Sequence, residues 1–154
     1  GDDVEATSNL GQVADFAVKL ARAGIRHASR LSTRGPMIEV QGGPVKLTQV
    51  VLNLVVNAAH ALDGVQRKGQ IEVAWSESEK PGEVILLVRD NGCGMSPEVQ
   101  EKAFEPFFTT KQKTQGTGLG LSICRELVRA MGGEISLTSV EGEGTTVQVI
   151  LKKA

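Results

Sequence analysis

The chain contains an apolar segment that ends in a carboxylate and a glycine-rich turn, Val84-Ile-Leu-Leu-Val-Arg-Asp90-Asn-Gly-Cys-Gly94. Its branched and apolar residues predict a strand over 83–90 that forms a hairpin with residues 70–75. The turn has two interpretations. Asp and Gly are the usual residues of plain turns. Alternatively, the Asp90 carboxylate accepts the exocyclic amine of a purine, adenine or guanine, while Gly92 and Gly94 let the main chain approach the base.

A helix is predicted before this hairpin, over residues 44–63, with Pro44 in its first turn. Its buried stripe consists of Leu47, Val50, Val51, Leu54, Val55, Ala58 and Leu62. Asn53 and Asn57 are four residues apart, so they lie on one face of this helix beside the stripe. Either both amides bridge to nearby groups, or an amide oxygen binds Mg²⁺, which prefers oxygen ligands together with water and phosphate. His60 is either a solvated residue at the helix end or a hydrogen-bond donor to a phosphate.

A second glycine-rich stretch, Gly116-Thr-Gly-Leu-Gly120, leads into a helix predicted over residues 118–130. Glycines allow close approach to a ligand, and the first turn of a helix presents free N–H groups that favour phosphate. The preceding residues 105–116 are polar and are predicted to form a mobile loop. Its start, Phe104-Glu-Pro-Phe-Phe-Thr-Thr-Lys111, is either a small apolar cluster or the hinge of a lid whose Lys111 and Lys113 face phosphate.

The remaining patterns complete a single domain over residues 9–154, preceded by a frayed or artificial start at 1–8. Apolar residues at helical spacing predict a helix over 10–23, on which Leu10, Val13, Phe16 or Ala17, and Leu20 form the apolar face. Residues 29–41 are predicted to be extended. Ser96 and Pro97 begin a short helix as its cap and first residue, and the chain ends in two strands at 134–139 and 144–152.

Composition excludes several classes of protein. The chain has 17 basic and 18 acidic side chains and a formal charge of −1, which argues against a nucleic-acid or membrane-surface binder. No apolar run approaches the ~18 residues of a membrane span. Cys93 and Cys124 lack metal-ligand spacing and are predicted to be small packing residues. A cytoplasmic location is therefore the expectation.

Together, the stretches at 53–57, 90–94, 104–111 and 116–120 resemble the nucleotide-binding boxes of the histidine-kinase catalytic domain, within the gyrase, Hsp90, histidine kinase and MutL ATPase family. The Phe-Phe-Thr-Thr-Lys segment is similar to that of nitrogen-regulatory-type kinases. The resemblance covers about residues 9–152. It implies an α+β fold of the Bergerat type, a two-layer sandwich with a mixed, mostly antiparallel sheet and helices on one face.

The resemblance also implies roles for individual residues. Asn57 would bind Mg²⁺, Asp90 would accept from adenine, and Thr145 would reach the adenine side through water. Residues 95–117 would form the lid. The other nucleotide-binding residues that it implies are His60, Gly92, Gly94, Met95, Lys111, Gly116, Thr117, Gly118, Leu119 and Gly120.

Position 53 distinguishes members of the family, because hydrolysing members have a Glu there as general base. Asn53 cannot take a proton, so the resemblance implies slow hydrolysis and favours transfer of the γ-phosphoryl group of ATP, with Asn53 and Asn57 as the catalytic asparagines. His60 stands where many kinases have Lys or Arg. The alternatives are a nucleotide-sensing module without catalysis, a hydrolysing ATPase and a plain interaction module.

The phosphate acceptor is expected outside this chain, because neither His27 nor His60 has the sequence context of an acceptor histidine. The expected partners are a helical dimerisation domain that carries this histidine and a response regulator, with no nucleic acid and no direct membrane contact. The domain alone is expected to be a monomer with little activity.

Overall fold

The computed structural model describes residues 6–25, 28–106 and 120–154, apart from the side chains at 28 and 29. The elements are β1 (Thr7–Asn9), α1 (Leu10–Arg22), β2 (Ala28–Arg34), β3 (Glu39–Gln41), α2 (Pro44–Ala61), β4 (Gly69–Glu77), β5 (Glu83–Asp90), α3 (Pro97–Lys102), α4 (Gly120–Ala130), β6 (Glu134–Val140) and β7 (Gly144–Lys152).

The main sheet has five strands in the order β2-β4-β5-β7-β6. β2 runs parallel to β4, and the other neighbours are antiparallel. The predicted mixed, mostly antiparallel sheet is therefore confirmed. The predicted extended segment 29–41 is divided between two sheets, because β3 leaves the main sheet and pairs with β1.

The helices cover one face of this sheet. In β5 the residues Val84, Leu86 and Val88 are buried and alternate with more exposed neighbours. The central helix α2 packs against α1, α4, β4, β5 and β7. All seven residues of the predicted α2 stripe are buried. The layer of helices and the sheet thus enclose one core.

The apolar face of α1 differs from the prediction. The helix begins after Asn9, whose side chain accepts a hydrogen bond from the Gln12 N–H at 3.0 Å. Ala17 is buried, whereas Phe16 is 53% exposed and Leu20 is 48% exposed. The prediction was wrong for Leu20. The buried face of α1 contains the predicted Leu10, Val13 and Ala17 together with Ala14, Val18 and Ala21.

The first strand includes residues that precede the predicted boundary at residue 9. Thr7 and Ser8 belong to β1 and pair with Gln41 and Val40. Ser8 is buried, and its hydroxyl donates to the Gly42 carbonyl at 2.6 Å. This pairing joins the start of α1 to the start of α2.

Trp75 fills the space between α1 and the turn after β2. A Cβ at Gly35 would lie 2.3 Å from the indole ring, and one at Gly11 would lie 3.3 Å from it. The indole N–H donates to the Pro36 carbonyl at 2.8 Å. Glycine at position 35 is therefore required by the packing of a single large side chain.

Within the described part of the chain, no helix combines the length and apolar character needed to cross a bilayer.

Candidate functional site

Asp90 lies at the end of the buried stripe of β5. Because side chains alternate along a strand, Asp90 points to the same face as Val84, Leu86 and Val88, which is the face that the helices cover. Its direct cross-strand partners are Ile71 in β4 and Thr145 in β7. Ile71 and Thr145 are both buried. A carboxylate and a hydroxyl therefore stand side by side where the apolar core ends.

The orientation of the Asp90 carboxylate is fixed by its own turn. Its Oδ1 accepts a hydrogen bond from the Gly92 N–H at 2.8 Å. Asn91 supports the same turn, because its side chain accepts from the Gln70 N–H and donates to the Lys68 carbonyl, each at 2.8 Å. Asn91 was missed in the sequence analysis, although Asn in a turn commonly makes such bonds.

The two glycines of this turn are required by the protein itself. A Cβ at Gly92 would lie 2.3 Å from the Ala61 carbonyl oxygen. Gly94 has a φ of 69°, and a Cβ there would lie 2.2 Å from the Val140 carbonyl oxygen. Whatever these glycines do for a ligand, they also let the turn pack against the end of α2 and the end of β6.

Cys93 lies between these glycines and is exposed, so its prediction as a packing residue was wrong. Its main chain carries the contacts, because its N–H donates to the Ala61 carbonyl at 2.9 Å and its carbonyl accepts from the Gly142 N–H at 2.7 Å.

Asn57 lies against the first residue of α4. A Cβ at Gly120 would lie 3.4 Å from the Asn57 amide nitrogen and 3.6 Å from its oxygen. Asn57 is one helical turn, about 6 Å, before Ala61, whose carbonyl binds the turn after β5. The amide therefore lies between that turn and the N-terminus of α4.

Asn53 is one turn further from the site and lies beside Cys124 of α4, whose thiol donates to the Val50 carbonyl at 3.8 Å. Cys124 is fully buried. Burial raises the pKa of the Cys124 thiol to about 11, and the nearby Asn53 amide opposes part of this rise in pKa. The thiol is thus neutral at pH 7. The contacts of Asn57 with Gly120 and of Asn53 with Cys124 also show that α2 and α4 are antiparallel.

Thr145 belongs to a hydrogen-bonded group that sequence reasoning missed. Its hydroxyl lies 2.8 Å from that of Ser139, its cross-strand partner in β6. The Ser139 hydroxyl accepts from the Met95 N–H at 2.8 Å and donates to the Gly144 carbonyl at 3.0 Å. Because a hydroxyl has one proton, Thr145 donates to Ser139 and presents only acceptor capacity to a ligand. Counting the register of the β6–β7 hairpin would have found Ser139.

Gln100 of α3 joins this group. Its side-chain amide donates to the Met95 carbonyl at 3.0 Å and to the Ser139 carbonyl at 3.1 Å. The predicted cap of α3 is confirmed, since the Ser96 hydroxyl accepts from the Val99 N–H. Met95 is therefore held through both its main-chain N–H and its main-chain carbonyl.

Residues 42–154 match the model of a family described as histidine kinase-, DNA gyrase B-, and HSP90-like ATPase. This chain belongs to that ATPase family. The two-component sensor PprA of Pseudomonas aeruginosa is 42% identical over 146 residues, which cover 90% of this chain and 15% of PprA. The sensor histidine kinase ZraS of Salmonella typhimurium is 39% identical over 148 residues, which cover 94% of this chain and 30% of ZraS.

The mycobacterial sensor histidine kinase MprB has a solved structure with the same fold. Its TM-score is 0.84 at 25% identity, and the match covers 97% of this chain and 98% of the MprB chain. The predicted family and fold are therefore confirmed, and this ATPase domain is of the histidine-kinase type. The chain spans less than a third of the length of PprA and ZraS.

The structure places the predicted site residues of this ATPase domain in two groups. One contains Asp90, Gly92, Gly94, Met95 and Thr145, and the other contains Asn57 and Gly120. His60 is half-buried in the last turn of α2, between these groups along the helix. Phe104 packs against the core. The predicted site residues Lys111, Gly116, Thr117, Gly118 and Leu119 lie outside the described residues, as do Lys113, Phe107 and Phe108.

The residues around Asn57 suit a magnesium ion that binds together with a nucleotide. Among the residues that the structure describes, no cluster of three or more His, Cys, Asp or Glu side chains could hold a metal. Asn57 offers one amide oxygen beside the N-terminus of a helix. Mg²⁺ is commonly bound by few protein oxygens together with substrate phosphates and water, so this donor set fits.

Proposed function

We propose that this domain binds ATP with Mg²⁺ and donates the γ-phosphoryl group to a histidine on a helical dimerisation domain. The observation that carries the proposal is the direct pairing of Asp90 with Thr145 at the edge of the core, beside the end of the helix that bears Asn57. This arrangement offers acceptors for a base at one end and a helix N-terminus for phosphates at the other.

The base would bind between the ends of β5 and β7. Asp90 accepts and cannot donate, and Thr145 is left as an acceptor by its bond to Ser139. Two acceptors suit an exocyclic amine and an ordered water. A guanine amino group could also satisfy the carboxylate, so the preference for adenine is a property to be measured rather than one that Asp90 alone provides.

The phosphates would bind at the start of α4, whose first-turn N–H groups and dipole favour negative charge. Asn57, beside Gly120, would supply an oxygen to the ion. When bound, Mg²⁺ neutralises charge on the phosphates and orients them. The role of this chain in that step is to hold the nucleotide so that its γ-phosphate faces the acceptor histidine.

Transfer is favoured over hydrolysis by the surroundings of Asn53. Activation of water needs a group that takes a proton near pH 7. The Asn53 amide has no such capacity, and its neighbour Cys124 is a neutral thiol because of its raised pKa. A nucleotide-sensing module is the second candidate, favoured by His60 at a position where a permanently charged side chain would hold phosphate more strongly.

The first experiment is calorimetric titration of the domain with ADP and a non-hydrolysable ATP analogue, with and without Mg²⁺, and with GTP for comparison. Adenine-selective binding that Mg²⁺ strengthens is expected. Label transfer from ATP within the full-length parent protein then distinguishes a kinase from a sensor, since a sensor binds ATP but transfers nothing. Absence of nucleotide binding would contradict both.

Asn57→Ala is expected to weaken binding of the ATP analogue about tenfold in Mg²⁺ and much less in its absence, because one metal ligand is lost. Gln12→Ala, which removes an exposed amide from α1, is the matched control and should bind as the unchanged protein does. An equal loss of affinity for the ATP analogue with and without Mg²⁺ would contradict the role of Asn57 as a metal ligand.

A further inference from the structure

We propose that Arg67 is a positioning residue that sets the base selectivity of the nucleotide site. The inference rests on the proposed function. Arg67 lies in the loop between α2 and β4 and was not predicted to have any role. Its Nε donates to the Asn91 carbonyl at 2.7 Å, and its Nη2 donates to the carbonyls of Gly92 at 2.8 Å and Gly142 at 2.7 Å.

The first of these bonds acts on the peptide unit that orients Asp90. The Asn91 carbonyl and the Gly92 N–H belong to one planar peptide group. Arg67 holds the carbonyl end of this group, and its N–H end donates to the Asp90 carboxylate at 2.8 Å. Rotation of the peptide would break both bonds. A guanidinium charge on the carbonyl also polarises the N–H and strengthens its bond to the carboxylate.

The second bond acts on the next peptide unit. Its carbonyl, that of Gly92, accepts from Arg67, and its N–H, that of Cys93, donates to the Ala61 carbonyl at the end of α2. Two consecutive peptides are thus held at both ends. The turn that carries Asp90 therefore has a fixed position relative to the helix that carries Asn57.

The third bond joins this turn to the turn between β6 and β7. Gly142 accepts from Arg67, and its N–H donates to the Cys93 carbonyl at 2.7 Å. Thr145 follows this turn in β7 as the cross-strand partner of Asp90. The sheet register places the two acceptors side by side, and this one side chain connects the turn that follows Asp90 with the turn that precedes Thr145.

A guanidinium suits this task because its planar group carries several N–H donors in a rigid arrangement. A lysine ammonium is a point charge and cannot reproduce bonds from two nitrogens. Arg67 is exposed and is not part of the hydrophobic core. Its loss is therefore expected to affect the geometry of the turn more than the stability of the domain.

The test compares Arg67→Met and Arg67→Lys with the unchanged domain, by calorimetry with ADP and with GDP. Arg67→Met is expected to lower ADP affinity about tenfold and to reduce the ratio of ADP to GDP affinity, because selectivity requires Asp90 and Thr145 to be placed together and the variant displaces the turns that flank them. Arg67→Lys should restore only part of the selectivity. Arg34→Met removes another exposed arginine, which pairs with Glu72, and is the matched control.

A second measurement does not depend on nucleotide. In the free domain, hydrogen exchange of the Gly92 amide should accelerate in Arg67→Met and stay unchanged in Arg34→Met, with similar melting temperatures. An unchanged ratio of ADP to GDP affinity in Arg67→Met would overturn the inference, and so would equal weakening of both nucleotides together with a large loss of stability. If the unchanged domain binds no adenine nucleotide, the proposed function fails and the inference fails with it.

Discussion

The Asp90 carboxylate has two roles. Its Oδ1 is used within the protein, by the Gly92 N–H, and the proposed function assigns the group a further acceptor role toward the base. Because both roles need only acceptor capacity, ionisation serves them together. At the scale of single residues, the site is therefore sensitive to loss of charge at this position.

Asp90→Ala is expected to weaken ADP binding by about 10- to 100-fold, since a hydrogen bond to a charged group contributes about 1.5–3 kcal/mol. Asp90→Asn keeps an acceptor for Gly92 but introduces a donor and should recover only part of the affinity. Calorimetry gives both values, and circular dichroism checks that the fold persists. Unchanged ADP affinity in Asp90→Ala would contradict the assigned role.

Cys124 makes stability depend on pH in the alkaline range. Burial raises its pKa from 9.0 to about 11, so the folded chain retains a proton that the unfolded chain loses. Its contribution is complete below pH 9 and is lost between about pH 9 and 11, roughly 3 kcal/mol in all at ~1.4 kcal/mol per unit. The free energy of unfolding, measured with urea across this pH range, should fall more steeply for the unchanged protein than for Cys124→Ala. Parallel curves would show that the thiol does not titrate with folding.

At the scale of elements, the turns that carry the site are held by close main-chain contacts. Gly94 has a positive φ and lies against the Val140 carbonyl. Gly82 also has a positive φ, but a methyl group on its Cα would meet no other atom within 4 Å. The two glycines thus share the backbone conformation and differ in the space around them. A comparison of substitutions at the two positions therefore distinguishes the cost of backbone strain from the cost of a steric clash.

Gly82→Ala is expected to cost about 1–2 kcal/mol, from the left-handed conformation alone. Gly94→Ala should cost roughly 3 kcal/mol or more, because the main chain must also move away from Val140. Only Gly94→Ala should weaken ADP binding, since it displaces Met95 and the turn after β5. Equal losses of stability in the two variants, measured by urea unfolding, would contradict the steric argument.

At the scale of the whole molecule, α2 joins the core to both halves of the site. Its buried stripe packs on α1, α4 and the sheet. The carbonyl of its last residue accepts from the Cys93 N–H, and its Asn57 side chain lies beside the first residue of α4. A ligand that binds both groups therefore stabilises the folded domain as a unit. Unfolding should accordingly follow one transition for the whole domain.

ADP at 100 times its dissociation constant is expected to add about 2.7 kcal/mol to the free energy of unfolding and to raise the melting temperature by roughly 5–10 °C. Asp90→Ala at the same ADP concentration should show a much smaller increase. Thermal unfolding followed by circular dichroism measures both. An increase of the same size in Asp90→Ala would mean that ADP binds elsewhere.

Patterns along the chain predicted the elements whose residues repeat regularly. The stripe of α2 repeats at helical spacing and β5 is a run of branched and apolar residues, so the position of Asp90 at the end of its strand could be foreseen. The face of α1 could be foreseen only in part, because Leu10 and Val13 are buried as predicted whereas Leu20 is exposed. Helical spacing alone does not determine which of the apolar residues of α1 are buried in the core.

The supporting residues of the site were not predictable in the same way. Arg67 acts on carbonyls that lie 24, 25 and 75 residues later in the chain, in two separate turns. Nothing in its local sequence carries that information, since any exposed arginine in a polar loop has the same pattern. Only the packing of the turns against each other brings its acceptors together.

The position of Trp75 has a consequence for optical measurements. The chain has one Trp and no Tyr, so its emission comes from a single buried indole. Trp75 is four residues along β4 from Ile71, about 13 Å from the level of Asp90 in the sheet. Its fluorescence should therefore not respond to nucleotide binding, and it should shift to longer wavelength when α1 separates from the sheet. This emission gives a label-free measurement of folding that is independent of nucleotide occupancy.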